Sequence, residues 1–133
     1  MKPETAAFLH KAREFLEKAA DMLADDWADE AGRAVYLAGL YAAQAMIVER
    51  TGKTIKRHRG VQNEFWRLTA SAPRFDPELR AFLGRTYNLK TIADYEIGPG
   101  SEVTAELAQE VLMTARRLVE RVQELLADRS MEP

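Results

Sequence analysis

Apolar residues recur along most of this chain at intervals of three and four positions, which is the period of an α-helix. From residue 4 to about residue 24, and again from Thr104 to about Asp128, an apolar stripe is bordered by charged positions. These two segments are predicted to be amphipathic helices that each bury one face. The segment AVYLAGLYAAQAMIV is apolar on nearly every side, so it is predicted to form the central helix of the fold.

Capping residues and helix breakers set the expected bounds of the helices. Asp25 and Asp26 are candidate N-caps for the central helix, which is predicted to run to about Arg50. Gly52 is expected to end that helix as a left-handed C-cap, because glycine adopts this conformation at little steric cost. A short helix is predicted to follow over residues 61–71.

A further helix is predicted to begin at Asp76-Pro77-Glu78, a cap followed by a first-turn proline and an acid. It is expected to end near Glu96, because Gly98-Pro99-Gly100 cannot continue a helix. Thr104 is the expected N-cap of the last helix, and no segment shows strand-like alternation. The pattern therefore predicts an all-α, up-and-down four-helix bundle with an additional short helix, in a single domain over residues 1–133.

The aromatic residues of these segments are predicted to be core and helix-packing residues. The alternative is that part of the set forms a dimer seam, since a small bundle with an alanine-rich central helix has apolar surface to spare. The residues concerned are Trp27, Tyr36, Tyr41, Phe65, Trp66 and Phe82.

Charge and composition exclude several classes of protein. Lysine plus arginine number 19 against 21 acidic residues, so no global basic field points to nucleic acid and any RNA contact would be local. Cysteine is absent, which removes disulfides, thiolate chemistry and cysteine-ligated zinc. The N-terminal segment lacks the apolar core of a signal peptide, and the longest apolar run, residues 34–48, is shorter than the roughly 20 residues that span a bilayer. A cytoplasmic location without a membrane partner is therefore expected.

The stretch GRTYNLKTIADYEIGP, residues 84–99, holds the main candidate site. On a helical projection Lys90 falls inside the apolar arc, Asp94 follows it at i+4 within reach of its side chain, and Tyr95 is the next residue. Lysine would supply positive charge to a phosphate or a reacting hydroxyl, and aspartate would orient the lysine or act as a base. The alternative is a simple ion pair whose lysine stem covers the core.

The segment TGKTIKRHRG is the one strongly basic run in the chain. His58 in this run is a candidate acid/base or phosphate-binding residue, and the alternative is a histidine that caps a neighbouring helix. Arg57, Arg59 and Asn88 are candidate phosphate- or nucleotide-binding residues. The second histidine, His10, is expected at the surface. Because two histidines so far apart form no metal motif, no metal is expected. The sequence also has no P-loop and no GxGxxG motif, so no other cofactor is expected.

Three stretches together resemble the HEPN family, in particular the small prokaryotic HEPN proteins that are often encoded beside a minimal nucleotidyltransferase. AGRAVYLAGLYAAQAMIVERTGKTIKRHRGV resembles the family's alanine- and tyrosine-rich helix, which is followed by a basic turn with a histidine and a glycine. LKTIADYE resembles the subfamily's arginine-x-x-Ala-Asp-Tyr segment, and the closing amphipathic helix is also similar. The resemblance covers nearly the whole chain.

The resemblance implies a bundle of four or five helices, usually a homodimer, that works in toxin–antitoxin or nucleotide-related systems. Many HEPN members are metal-independent ribonucleases that use an arginine and a histidine on one helix. Here Lys90 stands at the position of the subfamily's arginine, no histidine follows it, and Asp94 and Tyr95 match the Asp-Tyr pair. His58 could replace the missing histidine only if the fold brings its loop to this helix.

The resemblance and its departures favour a dimeric partner of a nucleotidyltransferase that is weakly active or inactive as a nuclease. In related pairs the nucleotidyltransferase adenylylates a HEPN tyrosine, and Tyr95 is the matching position here. The alternatives are a metal-independent ribonuclease that uses Lys90 and Asp94 with His58, and a structural bundle that binds no small molecule.

Overall fold

The computed structural model describes residues 1–95 and 102–127, and every regular element in these two ranges is a helix. The all-α class predicted from periodicity is therefore confirmed. In chain order the helices are α1 (Pro3–Ala24), α2 (Ala28–Thr51), α3 (His58–Leu68), α4 (Pro77–Arg80), α5 (Phe82–Tyr95) and α6 (Ala105–Ala127).

Helix α2 lies at the centre of the bundle and packs against α1, α3, α5 and α6. From Ala31 to Val48 all its residues are buried except Arg33 and Tyr41, so the predicted central helix is confirmed. By length and composition α2 could also cross a membrane, but 83% of its most apolar window is buried inside the bundle. Such burial is typical of the core helix of a soluble protein.

Three of the predicted caps are present. Gly52 adopts the left-handed conformation with φ of 75°, and its N–H donates to Val48 O at 2.9 Å. Asp76 Oδ1 accepts from the N–H of Leu79 at 2.9 Å, and Thr104 Oγ1 accepts from the N–H of Leu107 at 3.1 Å. These contacts are local, which is why the sequence predicted them.

The predicted N-caps of α2 are wrong. The residue before α2 is Trp27, without a side-chain cap, and Asp26 has a positive φ of 63°. The N–H of Trp27 donates to Met22 O at 2.8 Å, and the N–H of Asp25 donates to Asp21 O at 3.2 Å. These aspartates therefore close the end of α1, and an aspartate tolerates the left-handed conformation that this tight reversal needs.

The bounds of two helices also differ from prediction. Helix α3 begins at His58 rather than residue 61 and ends at Leu68 rather than residue 71. Its earlier start places the histidine in a first helical turn instead of a loop. The helix expected from Asp76 is divided at Ala81 into the single turn α4 and the longer α5. Its expected end, near Glu96, lies outside the described residues.

Three of the six aromatic residues predicted for the core are fully buried: Tyr36, Phe65 and Phe82. Tyr41 is partly buried, and its ring stacks with the rings of two α1 phenylalanines. The prediction is wrong for Trp27 and Trp66, which are 61% and 51% exposed. Trp27 lies in the α1–α2 reversal, and Trp66 lies on the outer face of α3 with the guanidinium of Arg80 3.8 Å from its ring centroid.

Candidate functional site

Helices α2 and α5 place two cations around the carboxylate of Asp94. Lys90 Nζ donates to Asp94 Oδ2 at 2.7 Å, the i+4 contact expected from the sequence. The two side chains are 19% and 22% exposed, although Asp94 as a whole residue lies at the surface. Arg33 Nε, from α2, donates to Asp94 Oδ1 at 2.9 Å. The hydrogen bond from Lys90 is the main cause that lowers the pKa of Asp94, and the charges of Lys90 and Arg33 add to it against partial desolvation. This carboxylate is therefore ionised at neutral pH and is a poor proton acceptor.

The start of α3 brings His58 against α2. Tyr36 Oη and His58 Nδ1 share a hydrogen bond of 2.7 Å, and the two rings lie 12° from parallel with their centroids 5.6 Å apart. The preceding loop is tied to the same helix, because Gln44 Nε2 donates to Ile55 O at 2.6 Å. These contacts fix the position of the histidine, which is itself half-buried.

His58 also lies beside α5. The ring centroid of Tyr87 is 6.0 Å from that of His58 and 5.6 Å from that of Tyr36. Burial is the main cause that lowers the pKa of His58 from its usual 6.5, and the positive charge of Lys90 lowers it further. The fold thus brings the histidine of the basic segment to α5, where the charge of Lys90 acts on it, and the imidazole is neutral at pH 7, in the state that can accept a proton.

The hydroxyl of Tyr36 links this imidazole to a second residue of α3. Burial raises the pKa of Tyr36 to about 12, so the phenol keeps its proton, and the hydroxyl also hydrogen-bonds the Gln62 side chain. Either Tyr36 Oη or His58 Nδ1 can be the donor of their shared hydrogen bond, according to the tautomer of the imidazole. When Nδ1 carries the proton, His58 Nε2 keeps its lone pair and can act as a base.

The residues brought together here form what we call the polar cluster: Arg33, Tyr36, His58, Tyr87, Lys90 and Asp94. Three of the predicted site residues, Lys90, Asp94 and His58, belong to it. The side chains of Arg57, Arg59 and Asn88 are exposed, and their predicted phosphate contacts stay predictions. Tyr95 is the last residue of α5, and its side chain lies outside the part of the chain that the structure describes.

The sequence analysis did not assign three members of the polar cluster to the site: Arg33, Tyr36 and Tyr87. Arg33 is the only charged residue between positions 31 and 48, and it lies one turn before Tyr36 on the same face of α2. That isolated charge in an apolar helix was the available signal. Tyr87 lies one turn before Lys90 on α5, but its position gave no sign that it faces His58.

Nothing in the described ranges points to a metal centre. No group of three or more histidine, aspartate or glutamate side chains among residues 1–95 and 102–127 is arranged to hold a metal ion. His10, as expected, is at the surface, where its Nε2 lies 3.1 Å from a carboxylate oxygen of Glu14.

Comparison with known families agrees with this helical arrangement. The family model of the HEPN domain matches residues 5–125, a range that contains the whole polar cluster. No curated protein matches the chain.

Proposed function

The chain belongs to the HEPN domain family, and from that premise we propose that its polar cluster binds the phosphate backbone of RNA and cleaves it without a metal ion. The observation that carries this proposal is the contact between the basic segment and α5. The ring of His58 contacts the ring of Tyr87, one turn before Lys90 on α5, and the charge of Lys90 helps to keep the imidazole neutral. A second cation, Arg33, is held against the same helix through Asp94. Metal-free RNA cleavage requires this combination of a base and positive charge.

In this mechanism His58 Nε2 accepts the proton of a ribose 2′-hydroxyl. The oxygen then attacks the adjacent phosphorus, the new P–O2′ bond forms, and the bond to the 5′-oxygen breaks. The products are a 2′,3′-cyclic phosphate and a 5′-hydroxyl, whose oxygen takes its proton from solvent water as it leaves. Lys90 and Arg33 stabilise the negative charge that develops on the phosphate oxygens. Asp94 orients these two cations and takes no proton, because its pKa is lowered. Tyr36 holds the imidazole in place through Nδ1.

Incubation of the purified protein with a structured RNA in EDTA tests this function. We expect cleavage by the wild type and none by the Lys90→Ala/Asp94→Asn double variant, because that variant loses the lysine charge and the carboxylate that positions Arg33. Products are resolved on a denaturing gel. Equal cleavage by both proteins would place the activity outside the polar cluster, and no cleavage by either would favour the second function below.

A second function is a dimeric partner of a nucleotidyltransferase in a toxin–antitoxin or nucleotide-related system. Two departures from the family's ribonuclease pattern favour it: a lysine stands in place of the arginine, and α5 has no histidine. The ion pair of Lys90 with Asp94 also neutralises part of the charge that a phosphate would meet. In this function the hydroxyl of Tyr95 would lose its proton and attack the α-phosphorus of ATP held by the partner enzyme. The nucleotidyl group would then be joined to Tyr95, and pyrophosphate would leave.

For this second function we expect a nucleotidyltransferase encoded beside the gene to co-purify with the protein. With ATP it should add one nucleotidyl group, which intact-mass spectrometry detects, and Tyr95→Phe should abolish the addition. Tyr87→Phe is the matched control, since it removes a hydroxyl from the same helix and should leave the modification in place. Modification of both variants would exclude Tyr95 as the acceptor.

A further inference from the structure

Tyr87 is the exposed aromatic residue of the polar cluster. It is 41% exposed, whereas the other tyrosine of the cluster, Tyr36, is fully buried. Packing in the core of the bundle therefore does not explain why an aromatic side chain stands at position 87. The ring also takes no part in the proposed cleavage mechanism.

The ring of Tyr87 has neighbours that fix its orientation. It stands at 75° to the ring of Tyr36 and at 70° to the ring of His58, with centroid separations of 5.6 Å and 6.0 Å. These are edge-to-face contacts of favourable geometry. An aromatic surface already held by its neighbours loses little conformational entropy when a second ring stacks on it.

The position of Tyr87 relative to the cations suggests what would stack there. Lys90 follows it by one turn on the same face of α5, so its side chain starts about 5–6 Å away. Proteins that bind single-stranded nucleic acid combine positive charge along the backbone with aromatic rings on which bases stack. A base and its own phosphate are separated by one sugar, which matches a ring and a cation placed on adjacent turns.

We infer that Tyr87 is a stacking platform for an unpaired base beside the phosphate bound by Lys90 and Arg33. This inference rests on the proposed RNA-binding function and narrows its substrate class to single-stranded RNA. Because every base has an aromatic face, the site discriminates an unpaired base from a paired one rather than one base from another.

Fluorescence anisotropy with two labelled oligoribonucleotides of equal length tests the inference, one with bases and one with abasic sites throughout. Tyr87→Leu should weaken binding of the oligonucleotide with bases by about 5- to 150-fold, the range typical of one lost base stack. Tyr87→Phe keeps the ring and should recover most of this affinity. The abasic oligonucleotide should bind equally well to the wild type and to Tyr87→Leu, since it offers only phosphates.

Two control variants separate this inference from the function on which it rests. Lys90→Ala should weaken binding of both oligonucleotides, whereas Trp66→Leu removes an exposed aromatic ring outside the cluster and should change neither. Binding that is lost in Lys90→Ala but intact in Tyr87→Leu would overturn the stacking platform alone. No binding of either oligonucleotide by the wild type would overturn the proposed function and the platform together.

Two further results would show that the ring of Tyr87 has a role other than base stacking. If Tyr87→Leu lowered the affinity for the two oligonucleotides equally, the leucine would disturb phosphate binding, and this result would contradict stacking. The oligomeric state of the wild type and of Tyr87→Leu is measured by analytical ultracentrifugation. A dimeric wild type with a monomeric Tyr87→Leu would assign the ring to a subunit interface and would likewise overturn the inference.

Discussion

Replacing Gly39 by alanine is expected to lower the free energy of unfolding by about 1–3 kcal/mol, the usual cost of an overpacked core. A Cβ atom at this position would stand 2.7 Å from Cδ1 of Phe82, and closer still to Cε1. The side chain of Phe82 is only 1% exposed, so an added atom would meet it inside the packed core. The cost arises although alanine favours helices over glycine. Because Gly39 has no side chain, α5 can pack closely against α2 at this point, and the ring of Phe82 fills the space that a Cβ atom would need.

Urea unfolding measures this effect, and Gly84→Ala is its matched control. Gly84 lies on the exposed side of α5, where the nearest atom to an added Cβ is Gln62 Oε1 at 3.9 Å. The same substitution there should raise the free energy of unfolding by roughly 0.5–1 kcal/mol, since it removes only the conformational entropy of glycine. Two changes of opposite sign are therefore expected. Equal stability of Gly39→Ala and the wild type would contradict the α2–α5 packing.

The helices were predictable because their signals are local. The apolar residues of α2 lie on all sides of one helix, and the caps at Asp76, Thr104 and Gly52 depend on residues three or four positions away. The resemblance to the HEPN family predicted the overall arrangement of the bundle, and the match of the family model over residues 5–125 supports this prediction. Such features can be read from a single sequence without knowing how the helices pack.

The polar cluster was only partly predictable because its contacts join distant parts of the chain. Lys90 and Asp94 are one turn apart, and their pairing followed from helical spacing. Arg33 and Asp94 are separated by 61 positions, and Tyr36 and His58 by 22, so no periodicity relates them. The exposure of Trp27 and Trp66 was missed for the same reason, since helix-packing partners are set by tertiary structure.

If RNA is cleaved, replacing His58 by asparagine is expected to slow cleavage by about 10²- to 10⁴-fold, the usual contribution of a general base. Asparagine can keep a polar group near the hydroxyl of Tyr36, so this loss should come without unfolding. Asp94→Asn is expected to be far milder, because an ionised carboxylate between two cations is a poor base. Single-turnover rates measured with saturating protein separate these effects from binding.

The pH dependence of the same rates identifies the base independently. A neutral imidazole is the active form, so the rate should be constant above the usual histidine pKa of 6.5 and should fall as the pH drops through the lowered pKa of His58. Asp94→Asn removes the negative charge that offsets Lys90 and Arg33, which lowers the pKa of His58 further and moves the acid limb to lower pH. If Asp94 were the base, the wild-type acid limb would instead lie below pH 3.8, and Asp94→Asn would abolish cleavage.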